Sequence, residues 1–293
     1  MIILDGGMGR QLERIGAPFR QPEWSALTLM ESPPHVIQAH TDFINAGAQV
    51  ITTNSYALVP FHIGEEAFAA RGAELLDLAG KLACEARDAA AKDVKIAAGV
   101  PPLFGSYRPD NFDQAHAPQL LSTFREHLLV HCDLVLAETL SSVAEAEAFA
   151  GAFADCGKPV WMSLTLIDEG AEPGQPKLRS GEPLDAAFAL VQDRHSEIEA
   201  VLFNCSQPEV MADGVAQAKQ QLSTETLIGV YANAFPPKPA KHIANTGLSP
   251  IREDLTPERY KQFADEWAAA GATIIGGCCG VGPEHIAALA GVA

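Results

Sequence analysis

Basic residues are scarce in this chain. Lys and Arg total 20 against 37 Asp and Glu, a formal net charge of −17 over 293 residues. That balance argues against nucleic acid and anionic membrane surfaces as partners, both of which select cationic faces. It suits small cationic or zwitterionic ligands. There is also no apolar run of about 20 residues, the length a membrane-crossing helix needs. The opening Met1-Ile2-Ile3-Leu4-Asp5 has no basic stretch ahead of a long apolar run, the mark of a secretory leader. Six cysteines in a chain of this length are too few for a disulfide framework. A cytoplasmic, reducing compartment is therefore expected. A G-x-G-x-x-G fingerprint is missing too, since Gly6, Gly7 and Gly9 have the wrong spacing, and this weakens a dinucleotide-binding reading.

What is present is alternation. Eight short runs rich in Val, Ile and Leu read as strands buried on both faces. They are Ile2 to Asp5, Gln49 to Asn54, Val94 to Val100, Asp133 to Thr139, Pro159 to Thr165, Ala200 to Cys205, Leu227 to Asn233 and Ala272 to Gly276. Between them lie helical patterns. Ser32-Pro33 is a helix start, followed by Val36, His40 and Phe43 at helical steps. Phe68, Gly72, Leu75, Ala79, Leu82 and Ala86 form a second stripe. Further helices are expected at 119–131, 143–156, 184–194, 208–221, 257–270 and 283–289. With no break in composition, the pattern predicts an α/β fold, a single (β/α)₈ TIM barrel spanning 1–293. Two proline-bearing stretches, Pro101 to Pro118 and Ala234 to Thr256, read as long loops at the C-terminal mouth, where barrel active sites are built.

The most informative residues are Gly276-Gly277-Cys278-Cys279-Gly280, at the end of the eighth strand. Neighbouring side chains in a strand point to opposite faces, so two adjacent cysteines share one ion only where the chain leaves the strand. The glycines permit that turn. Cys205 ends the sixth strand, and in a barrel both strand ends face the mouth. Three thiolates there predict a tetrahedral Zn²⁺ site with one open position, the catalytic kind. Small core residues, or a bond between Cys278 and Cys279, are the alternatives for the pair. Cys84, Cys132 and Cys156 fall on expected helices and read as inert packing thiols. Zinc acidifies a thiol that takes its fourth position, and a thiol-rich ligand set keeps that sulfur nucleophilic.

Asp5 and Glu138 each end an expected strand, where a carboxylate can receive the ammonium of an amino acid or a cationic methyl donor. Capping of adjacent backbone is the structural alternative. Trp24, Tyr56 and Tyr231 are further candidates, since an aromatic face holds a cation. His62, His116 and His242 lie in or near loops and are not expected to be ligands.

Together these stretches resemble the homocysteine S-methyltransferases, the zinc-dependent barrel family that includes betaine- and S-methylmethionine-using enzymes. The resemblance runs from Ile3-Leu4-Asp5-Gly6-Gly7-Met8-Gly9 through Ala46-Gly47-Ala48, Ile51-Thr52-Thr53-Asn54-Ser55-Tyr56, Glu138-Thr139, Leu178-Arg179-Ser180-Gly181-Glu182-Pro183-Leu184, Trp267 and the Gly-Gly-Cys-Cys run to Pro283-Glu284-His285-Ile286. It implies zinc on Cys205, Cys278 and Cys279, homocysteine as acceptor beside Asp5 and Glu138, methionine as product, and a part in methionine biosynthesis. Tyr231 and Asn233, in Tyr231-Ala232-Asn233-Ala234, are further substrate-contact candidates. The chain departs from the family pattern in its short 101–118 loop, in Val281-Gly282 where threonine is usual, and in the Pro236 to Pro250 insert. S-methylmethionine is the expected donor. A zinc hydrolase or lyase on the same barrel, and a non-catalytic thiol or metal binder, are the competing readings.

Overall fold

The structure, a computed structural model, describes residues 1–237 and 247–292. Eight parallel strands form one sheet in the order β1-β8-β7-β6-β5-β4-β3-β2. They are β1 (Ile2–Ile3), β2 (Val50–Thr52), β3 (Lys95–Val100), β4 (Leu134–Leu140), β5 (Val160–Leu164), β6 (Ile198–Asn204), β7 (Leu227–Ala232) and β8 (Ile274–Gly277). A parallel bridge between Leu4 and Val50, with the Gln49 N–H donating to the Ile3 carbonyl at 2.8 Å, joins β1 to β2 and closes the barrel. The expected α/β barrel is what the chain forms.

The core divides as the strand period requires. Leu4, Val50, Leu134, Leu136, Leu202 and Ile274 fill the barrel interior. Residues one step away, such as Ile3, Ile51, Val135 and Val201, face the helices outside. Each buried Leu, Ile or Phe contributes about 1.5–3 kcal/mol, which is why near-continuous apolar strands are stable only here.

The helices are α1 (Met8–Arg14), α2 (Ser25–Glu31), α3 (Pro33–Asn45), α4 (Pro60–Ile63), α5 (Glu65–Ala90), α6 (Ala117–His127), α7 (Val143–Phe153), α8 (Leu184–Asp193), α9 (Pro208–Gln221), α10 (Pro257–Ala270) and α11 (Pro283–Ala290). Proline opens α3, α9, α10 and α11, where its missing N–H is no loss. A capping box starts α7: Ser142 accepts from the Glu145 N–H, and Glu145 accepts from the Ser142 N–H at 3.0 Å. The stripe from Phe68 to Ala86 is the buried face of α5.

Three differences from expectation stand out. α1 and α2, seven residues each, are additional elements. The 119–131 helix ends at His127 and continues as a 3₁₀ turn, Leu129–His131. Cys132 and Cys156 lie just past helix ends rather than on helices. Pro239 and His242 lie outside the described residues. No helix among the described residues is long and apolar enough to cross a membrane.

Candidate active site

At the C-terminal mouth lies a cavity of about 210 Å³. Cys205, Cys278 and Cys279 line one side, and Asp5 and Glu138 line another.

The cysteine side is built by two backbone turns. β8 stops at Gly277, and the chain bends as the Cys278 N–H donates to Ala232 O at 2.9 Å and the Val281 N–H donates to Cys278 O at 3.1 Å. Gly280 takes a φ of +84°, a region glycine enters freely. The turn sends both sulfurs to one side, 4.0 Å apart. Cys205 follows β6 at a φ of +52°, and its Cα lies 5.8 Å from that of Cys278. The Cys205 and Cys278 sulfurs are paired as a disulfide in this structure, and the Cys279 sulfur lies beside them. All three sulfurs lie within 4.8 Å of one another. In the reduced protein they fit a zinc ion, since three ligands at about 2.3 Å in tetrahedral array sit about 3.8 Å apart. The pairing runs between strand ends and not between Cys278 and Cys279.

The carboxylate side follows from strand periodicity. Leu134, Leu136 and Glu138 alternate inward along β4, so Glu138 is the topmost interior side chain of that strand. The strand then kinks: Thr139 has a φ of +61°, and the β4–β5 register shifts between Ala137 and Leu140. Asn204 holds the kink, accepting from the Thr139 N–H at 2.9 Å and donating to its hydroxyl at 3.0 Å. Gly99 leaves the room, because a Cβ there would stand 3.0 Å from a Glu138 oxygen. Asp5 is buried, its carboxylate accepting from the Thr52 N–H at 2.7 Å and from the Thr52 hydroxyl at 3.3 Å. Burial pushes Asp5 up to about 7 against the pull of those two bonds. Burial, and then the charge of Asp5, push Glu138 up to about 8. Among the described residues Glu138 has no hydrogen-bonding partner for its carboxylate, and part of its surface stays open to the cavity.

Trp24, Tyr56 and Tyr231 all line this cavity. Trp24 packs edge-on against Phe19, with centroids 5.7 Å apart. The Tyr56 hydroxyl pairs with Ser106 at 2.7 Å. The Tyr231 hydroxyl is buried beside that of Ser163. Asn233 is placed differently. It is fully buried behind the cysteines, donating to Cys205 O at 2.8 Å and accepting from the Phe235 N–H at 3.0 Å. It supports the Cys205 turn and does not line the cavity. Both mouth loops do reach it, through Ser106 and Tyr107 and through Phe235, Gly247 and Ser249.

Comparison with known proteins agrees with this geometry. The profile of the family described as homocysteine S-methyltransferase matches residues 2–293. The chain belongs to the homocysteine S-methyltransferase family. It is accordingly an enzyme of the methyl-transferring class. Homocysteine S-methyltransferase of Escherichia coli K12 is 30% identical over 99% of this chain and 94% of that protein. Homocysteine S-methyltransferase 2 of Zea mays is 28% identical over 98% of this chain and 88% of its own. Among solved structures, the metallated form of the homocysteine methyltransferase MmuM from Escherichia coli superposes with a TM-score of 0.79 at 28% identity, covering 100% of this chain and 96% of that one. Its oxidized form gives 0.80.

Within the family frame, two groups add to what the sequence suggested. Thr52, in the Ile51-Thr52-Thr53 stretch, fixes the Asp5 carboxylate. Tyr107, in the 101–118 loop, donates to Cys205 O at 3.2 Å. His62 lines the cavity as a neutral ring, pushed down to about 4 by burial, with Nδ1 3.2 Å from Pro22 O. His116 pairs with Asp113 on the surface at 2.7 Å. Cys132 is a buried thiol pushed up to about 12 by desolvation.

Proposed function

We propose that this enzyme moves a methyl group from S-methylmethionine to homocysteine, with one Zn²⁺ held by the reduced thiols of Cys205, Cys278 and Cys279. The observation that carries this reading is the meeting of three cysteine sulfurs, the buried Asp5 carboxylate and the part-buried Glu138 carboxylate across one small cavity. The donor set is all sulfur, with no imidazole in the group, and this fits thiol chemistry better than water activation. The chemistry the ion supplies when bound is acidification of the acceptor thiol, which alone has a pKa of about 8.5 and stays mostly protonated at neutral pH.

The chain's own residues do the rest. Asp5 and Glu138 receive the acceptor's ammonium, which fixes its sulfur toward the cysteine side. A cation arriving there draws both carboxyls back toward their ordinary acidity and satisfies the Glu138 oxygens. Trp24, Tyr56 and Tyr231 wall the cavity with aromatic faces, suited to a sulfonium. The acceptor sulfur gives up its proton to solvent, its electron pair forms the new S–CH₃ bond, and the donor's S–CH₃ bond breaks to leave a neutral thioether. With S-methylmethionine as donor both products are methionine.

The test is direct. Reduced, zinc-loaded protein is given homocysteine and S-methylmethionine carrying deuterated methyl groups, with betaine and S-adenosylmethionine as parallel donors. Labelled methionine from S-methylmethionine is expected. Product from betaine alone would overturn the donor, and no product with any donor would overturn the reading.

A further inference from the structure

Behind Cys205 lies a buried polar scaffold that the proposed reaction does not use. Asp168 and Arg179, both in the segment between β5 and α8, form an ion pair at 2.8 Å with side chains 0% and 1% exposed. Taking two charges out of water carries a desolvation cost that their attraction only offsets, so stability alone is a poor reason for such a pair. Its remaining contacts converge on one place. The second Asp168 oxygen accepts from the Gln207 N–H at 2.9 Å. The Arg179 guanidinium lies over the Tyr107 ring, 4.6 Å from its centroid. The Tyr107 hydroxyl donates to Cys205 O at 3.2 Å. The ion pair therefore grips the Cys205-Ser206-Gln207 turn at both ends, directly through Asp168 and indirectly through Tyr107. Between the ends, the Ser206 hydroxyl accepts from the Leu166 N–H at 2.8 Å.

This turn needs gripping. Cys205 has a φ of +52°, a left-handed conformation that is strained for a residue with a Cβ and persists only where its surroundings fix it. We infer that the Asp168–Arg179 pair and Tyr107 are positioning residues for Cys205, holding the left-handed turn that aims its sulfur at Cys278 and Cys279. The inference rests on the reading of these cysteines as zinc ligands.

Zinc affinity of the reduced protein, measured by competition with a chromophoric chelator, tests it, together with the absorption spectrum of the Co²⁺-loaded form. Asp168→Asn is expected to weaken zinc by about 10–100-fold, the usual cost of losing a partner behind a ligand. Tyr107→Phe should weaken it by about 5-fold, the worth of one hydrogen bond. Both should shift the cobalt bands, and Asp168→Glu should recover part of the loss. Phe149→Leu, a core change on α7, serves as the fold control and should lower the melting temperature without moving either readout. If Asp168→Asn does not fold, Tyr107→Phe, which deletes one hydroxyl, decides alone. Wild-type affinity and spectrum in Tyr107→Phe and in any folded Asp168→Asn would overturn the inference, as would an equal loss in Phe149→Leu. Wild-type protein that takes up no zinc would refute the metal reading itself before any variant is compared, and the inference falls with it.

Discussion

The two sides of the cavity are finished to different degrees. On the cysteine side the backbone is tied at each turn: Cys205 O by Asn233 and Tyr107, Gln207 N by Asp168, and Cys279 O by the Ala234 N–H. On the carboxylate side, Asp5 is held by Thr52, but Glu138 has no hydrogen-bonding partner among the described residues. Buried polar groups are normally paired, so the second side is incomplete without a ligand that brings donors. A fixed sulfur cluster beside an unsatisfied acidic floor is what an enzyme needs if the first holds a metal permanently and the second takes a substrate that comes and goes.

If this division is right, the two sides should fail separately. Cys278→Ser should give the largest effect. Zinc should fall from about one per chain to a small fraction, and methyl transfer should drop more than about 100-fold, since even a partner behind a ligand is worth 10–100-fold. Metal analysis and methionine formation check this. Full zinc in that variant would erase the distinction between the sides. Glu138→Gln should leave zinc intact and raise KM for homocysteine about 10–100-fold, from the loss of a charge-assisted bond. Loss of zinc in that variant would show that the sides are not independent.

A smaller effect concerns pH. Glu138, raised to about 8, binds its proton more tightly in the folded than in the unfolded chain. Its contribution to stability is therefore full below its ordinary range near 4.3 and is lost as pH rises through about 8. Ligand-free Glu138→Gln should melt on the order of 5 °C above wild type at pH 9, with the gap closing by pH 5. Parallel melting curves across that range would count against the buried floor. The smallest change is expected at the rim. Trp24→Ala should raise the donor KM about 3- to 30-fold and leave the homocysteine KM unmoved, the range of one cation–π contact. A loss confined to homocysteine would move Trp24 to the acceptor's side.

The sequence told the two sides apart unevenly. The barrel was legible because parallel strands buried on both faces leave near-continuous runs such as Leu134 to Ala137, which solvent-exposed strands do not. The three cysteines were legible because glycines flank Cys278-Cys279 and a third thiol ends another strand. Asp5 and Glu138 followed from the rule that strand ends face the mouth. α1 and α2 escaped because seven residues give too few turns for a periodic stripe, and α2 starts after Trp24 at a φ of +49° with no side-chain cap. Asn233 reads like a site residue, yet its role depends on a turn at Cys205 that only the three-dimensional path sets. Arg179 stood within a matching stretch, but Tyr107 comes from another part of the chain, and charge alone does not reveal that Asp168, in the same loop, forms a buried pair with it. The Cys205–Cys278 pairing likewise had no signal in spacing, since it joins strand ends 73 residues apart.

The division between a permanent metal and a transient substrate is tested most directly by X-ray absorption at the zinc edge of the reduced protein, with and without homocysteine. The account predicts three sulfurs at about 2.3 Å in the free enzyme, rising to four when homocysteine is added. A ligand shell containing imidazole nitrogen, or one that homocysteine leaves unchanged, would contradict it.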